Sequence, residues 1–297
     1  MAKHQPRVSV VVPFFDEVSV LQPLFESYVN AAKRVPEGEV ELIIVDNRPS
    51  GSSTQGLATI PWSNFKLVHC EKPGSYAARN TGFSHSRGRV LVFTDSDCRF
   101  SENFFFELCR QISGSASHPE IISGRVTTPF SEDASVWAKF DALTGIPQSH
   151  YAKKGYGATA LLVVPRQVFV ANGGFDEDYY SGGDAEFCFR AQRAGISFRH
   201  ESRLEVFHVA RSSMLQHFAK LDRVVGSQIS RWKSEPRGKF RELTRIFLAG
   251  FRLVKVSFTK EIPRHGKHLV FQAGLILALV RMFFSAGHLL NLRHPRR

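Results

Sequence analysis

The sequence predicts an α/β protein: a mixed, mainly parallel sheet flanked by helices, with a helical C-terminal extension. Short β-branched apolar runs alternate with segments of helical period through the first two thirds of the chain, the pattern of parallel βαβ units. One such run, Val90-Leu-Val-Phe93, stops at two carboxylates one residue apart, Asp95 and Asp97. Charge is uneven: residues 1–202 hold 20 Lys/Arg and 22 Asp/Glu, whereas 203–297 hold 19 and 5.

The first strand is Val8 to Val12, closed by Pro13-Phe-Phe-Asp-Glu17. Leu21, Leu24, Phe25 and Tyr28 then set a helix over 18–33. Glu39 to Val45 reads as a second strand ending at Asp46-Asn47, before a Gly/Ser loop from Pro49 to Thr54. Lys66 to His69 is a third strand, Gly74 to His85 a helix, and Val90 to Phe93 a fourth strand, apolar on both faces and so buried on both. Beyond the acidic pair come a helix over 101–112, a strand over 121–126 and a less regular stretch from Thr128 to Tyr151. Ala158 to Pro165 is strand-like, and Arg166 to Asn172 is a short helix ending at Gly173-Gly174. Asp184 to Ala194 is helical, and Ser197 to His208 contains the last strand. A sheet that begins parallel and finishes mixed makes 1–215 one domain and 216–297 a basic, apolar-rich helical region.

With 43% hydrophobic and 22% charged residues, the chain is a folded globular protein rather than a disordered one. Its net charge of +12 resides in the C-terminal third, which suits nucleic acid, anionic lipid or a phosphorylated substrate. The apolar company of these charges favours a membrane surface over nucleic acid. Residues 241–258 mix Leu243, Ile246, Phe247, Leu248 and Phe251 with Arg245, Arg252 and Lys255, a basic amphipathic helix. Leu269 to Leu292 is strongly apolar but interrupted by Gln272, Arg281 and His288, which makes it marginal as a membrane span. A helix packed on the N-terminal domain or lying in the interface is an equal reading, and a soluble subdomain with a solvated basic face is the plain alternative. Four cysteines without paired spacing, and an N-terminal apolar run broken early by Pro13, point to the cytoplasm.

Ligands of open α/β sheets gather beyond the carboxyl ends of the strands, where Asp95 and Asp97 fall. If the chain stayed extended there, both carboxylates would point to one side and could meet one Mg²⁺ or Mn²⁺ holding a diphosphate. The alternative is a solvated acidic turn ahead of Ser101 and Glu102.

The runs Val8-Ser-Val-Val-Val-Pro-Phe-Phe-Asp-Glu17, Leu42-Ile-Ile-Val-Asp-Asn47, Gly74-Ser-Tyr-Ala-Ala-Arg-Asn-Thr-Gly82, Phe93-Thr-Asp-Ser-Asp97 and Gly173-Gly-Phe-Asp-Glu177, with Gly182-Gly-Asp-Ala-Glu-Phe187, resemble in order and spacing the motifs of family 2 glycosyltransferases of the GT-A fold. The resemblance covers residues 7 to 215. It implies an inverting, metal-dependent transferase, moving a sugar from a nucleotide-diphosphate donor to a saccharide or lipid-linked acceptor in polysaccharide or glycolipid synthesis. It assigns donor binding to Pro13, Phe15, Glu17, Asp46, Arg79, Asp95 and Arg211, with Asp95 on the ribose or a metal-bound water. Asp97 becomes the direct metal ligand, His208 approaches the metal or diphosphate, and Asp184 takes the position of the catalytic base. Gly183 departs from the family's frequent Glu-Asp pair. Glu186 is a weaker alternative base, turned from the face of Asp184 by its helical spacing. Tyr179, Tyr180 and Trp137 are candidates for stacking on acceptor sugars, or simply for packing. Two other readings stand beside this one. An Asp-nucleophile phosphatase lacks the small hydroxyl residue expected soon after the acidic pair, where Cys98-Arg99 stands, and a non-catalytic basic protein would bind through 203–297.

Overall fold

A computed structural model describes residues 5–15, 18–49, 64–113, 119–234 and 267–289. Glu17 and the amphipathic segment 241–258 lie outside the described residues. The chain separates into two compact units, one of Met1–Thr127, Ile146–Tyr179 and Gly183–His208, the other of Thr128–Gly145, Tyr180–Gly182 and Val209–Arg297.

The first unit is built on an eight-stranded sheet. Its strands are β1 (Val8–Phe14), β2 (Val40–Asp46), β3 (Phe65–His69), β4 (Val90–Thr94), β5 (Cys98–Phe100), β6 (Glu120–Thr127), β7 (Leu161–Pro165) and β8 (Ser197–His208), in the order β3-β2-β1-β4-β7-β6-β8-β5. The β3-β2-β1-β4 half is parallel; β7 runs antiparallel to both β4 and β6, and β5 antiparallel to β8. This is the mixed sheet expected from sequence. β5 was not: three residues are too few to show alternation.

Alternation sorts the core into two layers. Val8, Val10, Val12 and Phe14 of β1 pack on one face with α1 (Leu21–Ala32) through Leu21, Leu24, Phe25 and Tyr28. Val11, with Ile43 and Val45 of β2, packs on the other face with α2 (Ser75–Ser84). α2 comes close because Gly82 faces the sheet: a Cβ there would lie 2.4 Å from Val11 Cγ1 and 2.8 Å from Val45 Cγ2. α3 (Phe104–Ser113) joins the α1 layer through Phe104, Phe105 and Leu108. The helix α6 (Arg166–Ala171) and α7 (Gly183–Arg193) join the α2 layer, where Phe93, Phe169, Phe175 and Phe187 form a ring cluster. Opposite layers around β1 make the junction of β1 and β4 a topological switch point, where a crevice opens at the carboxyl ends of the strands.

The stretch read as less regular contains two helices, α4 (Val136–Thr144) and α5 (Gln148–Ala152). The Ser135 hydroxyl accepts the Ala138 N–H and starts α4. In the second unit α4 packs with α8 (Met214–Ser234) and α9 (Lys267–Leu289): Phe140, Ala273 and Leu277 form one cluster, and Val225, Ile229 and Phe284 another. Arg281, which interrupts the apolar pattern of α9, is buried and donates to Gln228. No helix among the described residues is long and apolar enough to cross a membrane.

Candidate active site

The strand ends place the first carboxylate. In the β1–β2 register Phe14 lies opposite Asp46, so β2 delivers Asp46 to the crevice. Arg48 clamps it, with Nε to Oδ1 at 2.9 Å and Nη2 to Oδ2 at 2.8 Å, while resting over the Phe14 ring. Burial opposes ionisation of Asp46, but Arg48's hydrogen bonds and charge outweigh it and hold the carboxyl below its ordinary range. Pro13 lies within β1 beside Val45, and Phe15, just past its end, is 60% exposed.

Asn47 fastens the floor of the crevice. Its backbone N–H donates to Phe14, its side-chain amide donates to the Cys70 and Lys72 carbonyls at 2.9 and 2.8 Å, and its Oδ1 accepts the Gly74 N–H at 2.9 Å. The ends of β1, β2 and β3 and the start of α2 thus meet on one residue. Sequence reading passed over Asn47, although it sits beside Asp46 in the same motif.

The acidic pair does not keep the extended geometry expected of it. Asp95 to Asp97 form a turn between β4 and β5, closed by the Cys98 N–H on the Asp95 carbonyl at 3.1 Å. The two carboxylates consequently take different partners. Asp95 accepts Arg79 Nη2 at 2.6 Å, and Arg79 is 3% exposed with its Nε lacking a hydrogen-bond partner. Asp97 meets His208 Nε2 at 3.2 Å, because β5–β8 pairing sets Cys98 opposite His208.

Asp184 opens α7. Its Oδ1 accepts the Ala185 N–H at 2.9 Å and its Oδ2 the Thr159 N–H at 3.2 Å. Burial and, less strongly, the Asp95 charge push its carboxyl above the usual range, against these two amides and Arg79. Its own N–H donates to the Tyr76 hydroxyl at 3.2 Å, and Tyr76 lies on Arg79 in turn. Gly183 now has a physical reason: a Cβ there would stand 2.9 Å from the Tyr76 ring and 3.1 Å from Tyr179 Cβ. Glu186 is paired with Arg190 at 2.8 Å along α7. Asn80 ties α2 to the loop before α7, binding both backbone groups of Phe175 and Glu177 Oε1. Tyr76 and Asn80 were also missed in the sequence, where the segment read as small residues around Arg79.

Arg211, Trp137 and Tyr180 belong to the second unit. There Arg211 binds the buried Asp141 through its N–H at 3.0 Å and Nη1 at 3.2 Å, with Lys220 Nζ at 3.7 Å. Trp137 lies beside the His217 ring.

Among the described residues no group of three or more His, Cys, Asp or Glu side chains forms a metal cage. Asp97 and His208 nonetheless fit a divalent cation that draws further oxygens from a substrate: they offer one carboxylate and one imidazole 3.2 Å apart, and the buried Nδ1 of His208 has no hydrogen-bond partner.

A parallel half-sheet with carboxylates at its switch point, extended by a mixed half whose strand β8 supplies His208, defines a GT-A glycosyltransferase fold. The mannosyltransferase PcManGT from Pyrobaculum calidifontis, solved in complex with GDP-Man and Mn2+, shares this fold with a TM-score of 0.62 and 15% identity, over 98% of this chain and 89% of that one. The family model described as glycosyl transferase family 2 matches residues 9–140, a little under half of the chain. Glycosyltransferase AglE of Haloferax volcanii is 29% identical over 208 residues, 68% of this chain and 67% of AglE. The minor teichoic acid biosynthesis protein GgaA of Bacillus subtilis is 32% identical over 100 residues, 32% of this chain and only 22% of GgaA. These relatives support a glycosyl-transfer role.

Proposed function

We propose that the chain is an inverting transferase that moves a sugar from a nucleotide-diphosphate donor to a hydroxyl of a saccharide or lipid-linked acceptor. The observation that carries the reading is the state of Asp184, a carboxylate whose affinity for a proton is raised by burial while two backbone N–H groups fix its direction. Such a group suits a general base that takes the acceptor's proton as the oxygen attacks the anomeric carbon. Donor binding falls to Pro13, Phe15 and Asp46 on the nucleoside side, to Asp95 on the ribose or a metal-bound water, and to Arg79 nearer the phosphates. Asp97 and His208 would hold Mn²⁺ or Mg²⁺, whose charge, when bound, offsets that of the diphosphate. Residues 1–215 form the catalytic domain in this reading, and the basic region 216–297 keeps the enzyme at the cytoplasmic face of a membrane.

The test is calorimetry with UDP, GDP and dTDP, with and without Mn²⁺, followed by a panel of nucleotide sugars that includes GDP-mannose, the ligand of the Pyrobaculum enzyme. Metal-dependent binding of one nucleotide and transfer from its sugar are expected. Binding confined to nucleic acid, with steep salt dependence, would replace this reading with that of a basic binding protein.

A further inference from the structure

The surface of α9 carries a feature that sugar transfer does not use. Leu275, Ile276, Leu279, Met282 and Phe283 are 38–66% exposed. At 3.6 residues per turn these five lie within about 120° of helix arc. The opposite side of the same helix is buried: Ala273, Leu277 and Phe284 belong to the packing clusters of the second unit, and Arg281 and Ser285 are covered as well. The helix therefore has two apolar faces, of which packing within the unit uses one. Scattered exposed apolar side chains are ordinary, whereas five on one stripe mark an interaction surface.

Charge selects the occupant. Residues 203–297 carry 19 Lys/Arg against 5 Asp/Glu; Arg264 precedes α9 in sequence, Lys267 begins it, and Arg293, Arg296 and Arg297 follow it. A second copy would bring the same positive charge and be repelled, while an anionic lipid surface attracts it and accepts the apolar stripe. Spanning is not available to this helix, since none described is long and apolar enough.

We infer that the Leu275–Leu279–Phe283 stripe of α9 docks on an anionic lipid surface, the helix lying in the interface with the stripe among the acyl chains. The inference rests on the membrane-surface reading above and adds the element and the lipid class. Co-sedimentation of the full chain with phosphatidylcholine vesicles, with and without phosphatidylglycerol, tests it. The wild type binds the phosphatidylglycerol vesicles more tightly, and Leu279→Ser and Phe283→Ser each weaken that binding on the order of tenfold. Phe106→Ser, which removes a comparably exposed side chain from α3, leaves it unchanged. Circular dichroism and nucleotide binding of each variant identify any that fails to fold, and a variant carrying both serines provides a second measurement. If the wild type ignores both kinds of vesicle, the membrane-surface reading falls and this inference with it. If the wild type binds and the α9 variants bind equally well, this inference alone is overturned. It is likewise overturned if the serine variants turn a dimer into a monomer in light scattering while vesicle binding is unaltered.

Discussion

Replacing Asn47 by alanine removes three hydrogen bonds at once: the amide's two to the Cys70 and Lys72 carbonyls and the one that Oδ1 accepts from Gly74. A hydrogen bond within a folded protein contributes about 1 kcal/mol net, so the substitution should cost about 3 kcal/mol. The cost should reach further than stability, because the residues released lead directly into α2, which carries Arg79 and Tyr76. Asn47→Asp gives a sharper test. It keeps an acceptor for Gly74 but loses both donors and sets a carboxylate against two carbonyls, so it should be no better than alanine. Urea denaturation measures the loss, and amide hydrogen exchange at Gly74 reports the loosened start of α2. A loss below about 0.5 kcal/mol for Asn47→Ala, or an Asn47→Asp protein as stable as wild type, would refute the idea that this side chain joins the strand ends to α2.

Outcomes are expected at four further positions. Asp97→Ala should nearly abolish transfer chiefly by weakening metal-dependent nucleotide binding, and calorimetry would expose unchanged affinity. Asp184 must be ionised to act as a base, so activity should fall as pH drops through its raised pKa, giving an acid limb above the ordinary carboxylate range in the pH–rate profile. A carboxyl raised by folding contributes stability that is present below its unfolded pKa and lost as pH rises through the folded one; Asp184→Asn should therefore be inactive yet more stable at neutral pH, and full transfer activity in that variant would remove Asp184 from the role of base. Gly183→Glu should displace the Tyr76 ring and cut transfer at least tenfold, an effect that assays beside Tyr76→Phe can separate from loss of the hydroxyl alone. Arg203's hydrogen bonds hold Glu201 at about 2 against its ordinary 4.5, so its contribution to stability is complete above pH 4.5 and lost as pH falls toward 2; Glu201→Gln should flatten that part of an acid-unfolding curve.

Strands β1, β2, β4 and β7 were legible because each is a short apolar run with both faces buried, and the acidic turn because such a run ends there. What stayed hidden depends on partners distant in sequence. Cys98–Phe100 becomes a strand only through β8, and its formation takes Asp95 and Asp97 to separate partners instead of one shared side. The helix at Val136–Thr144 was obscured because its burial comes from α8 and α9 rather than from its neighbours in sequence. Asn47, Tyr76 and Asn80 act by joining elements, and single residues of common type carry no periodic signal of that task. Asp184 could be placed from its motif, whereas its raised proton affinity arises from burial and, less strongly, from the Asp95 charge, which no local pattern shows.

The pairing of β5 with β8 also bears on when the enzyme becomes competent. Among the described residues β5 has no other strand partner in the sheet, and β8 is the last strand to be synthesised. A nascent chain can assemble the β3-β2-β1-β4 half, with Asp46 and the Arg79–Asp95 pair, well before His208 has been translated. The proposed cation pair Asp97–His208 closes only when β8 inserts between β6 and β5, so metal affinity would report on completed folding, and a chain stalled before that strand would hold half a site.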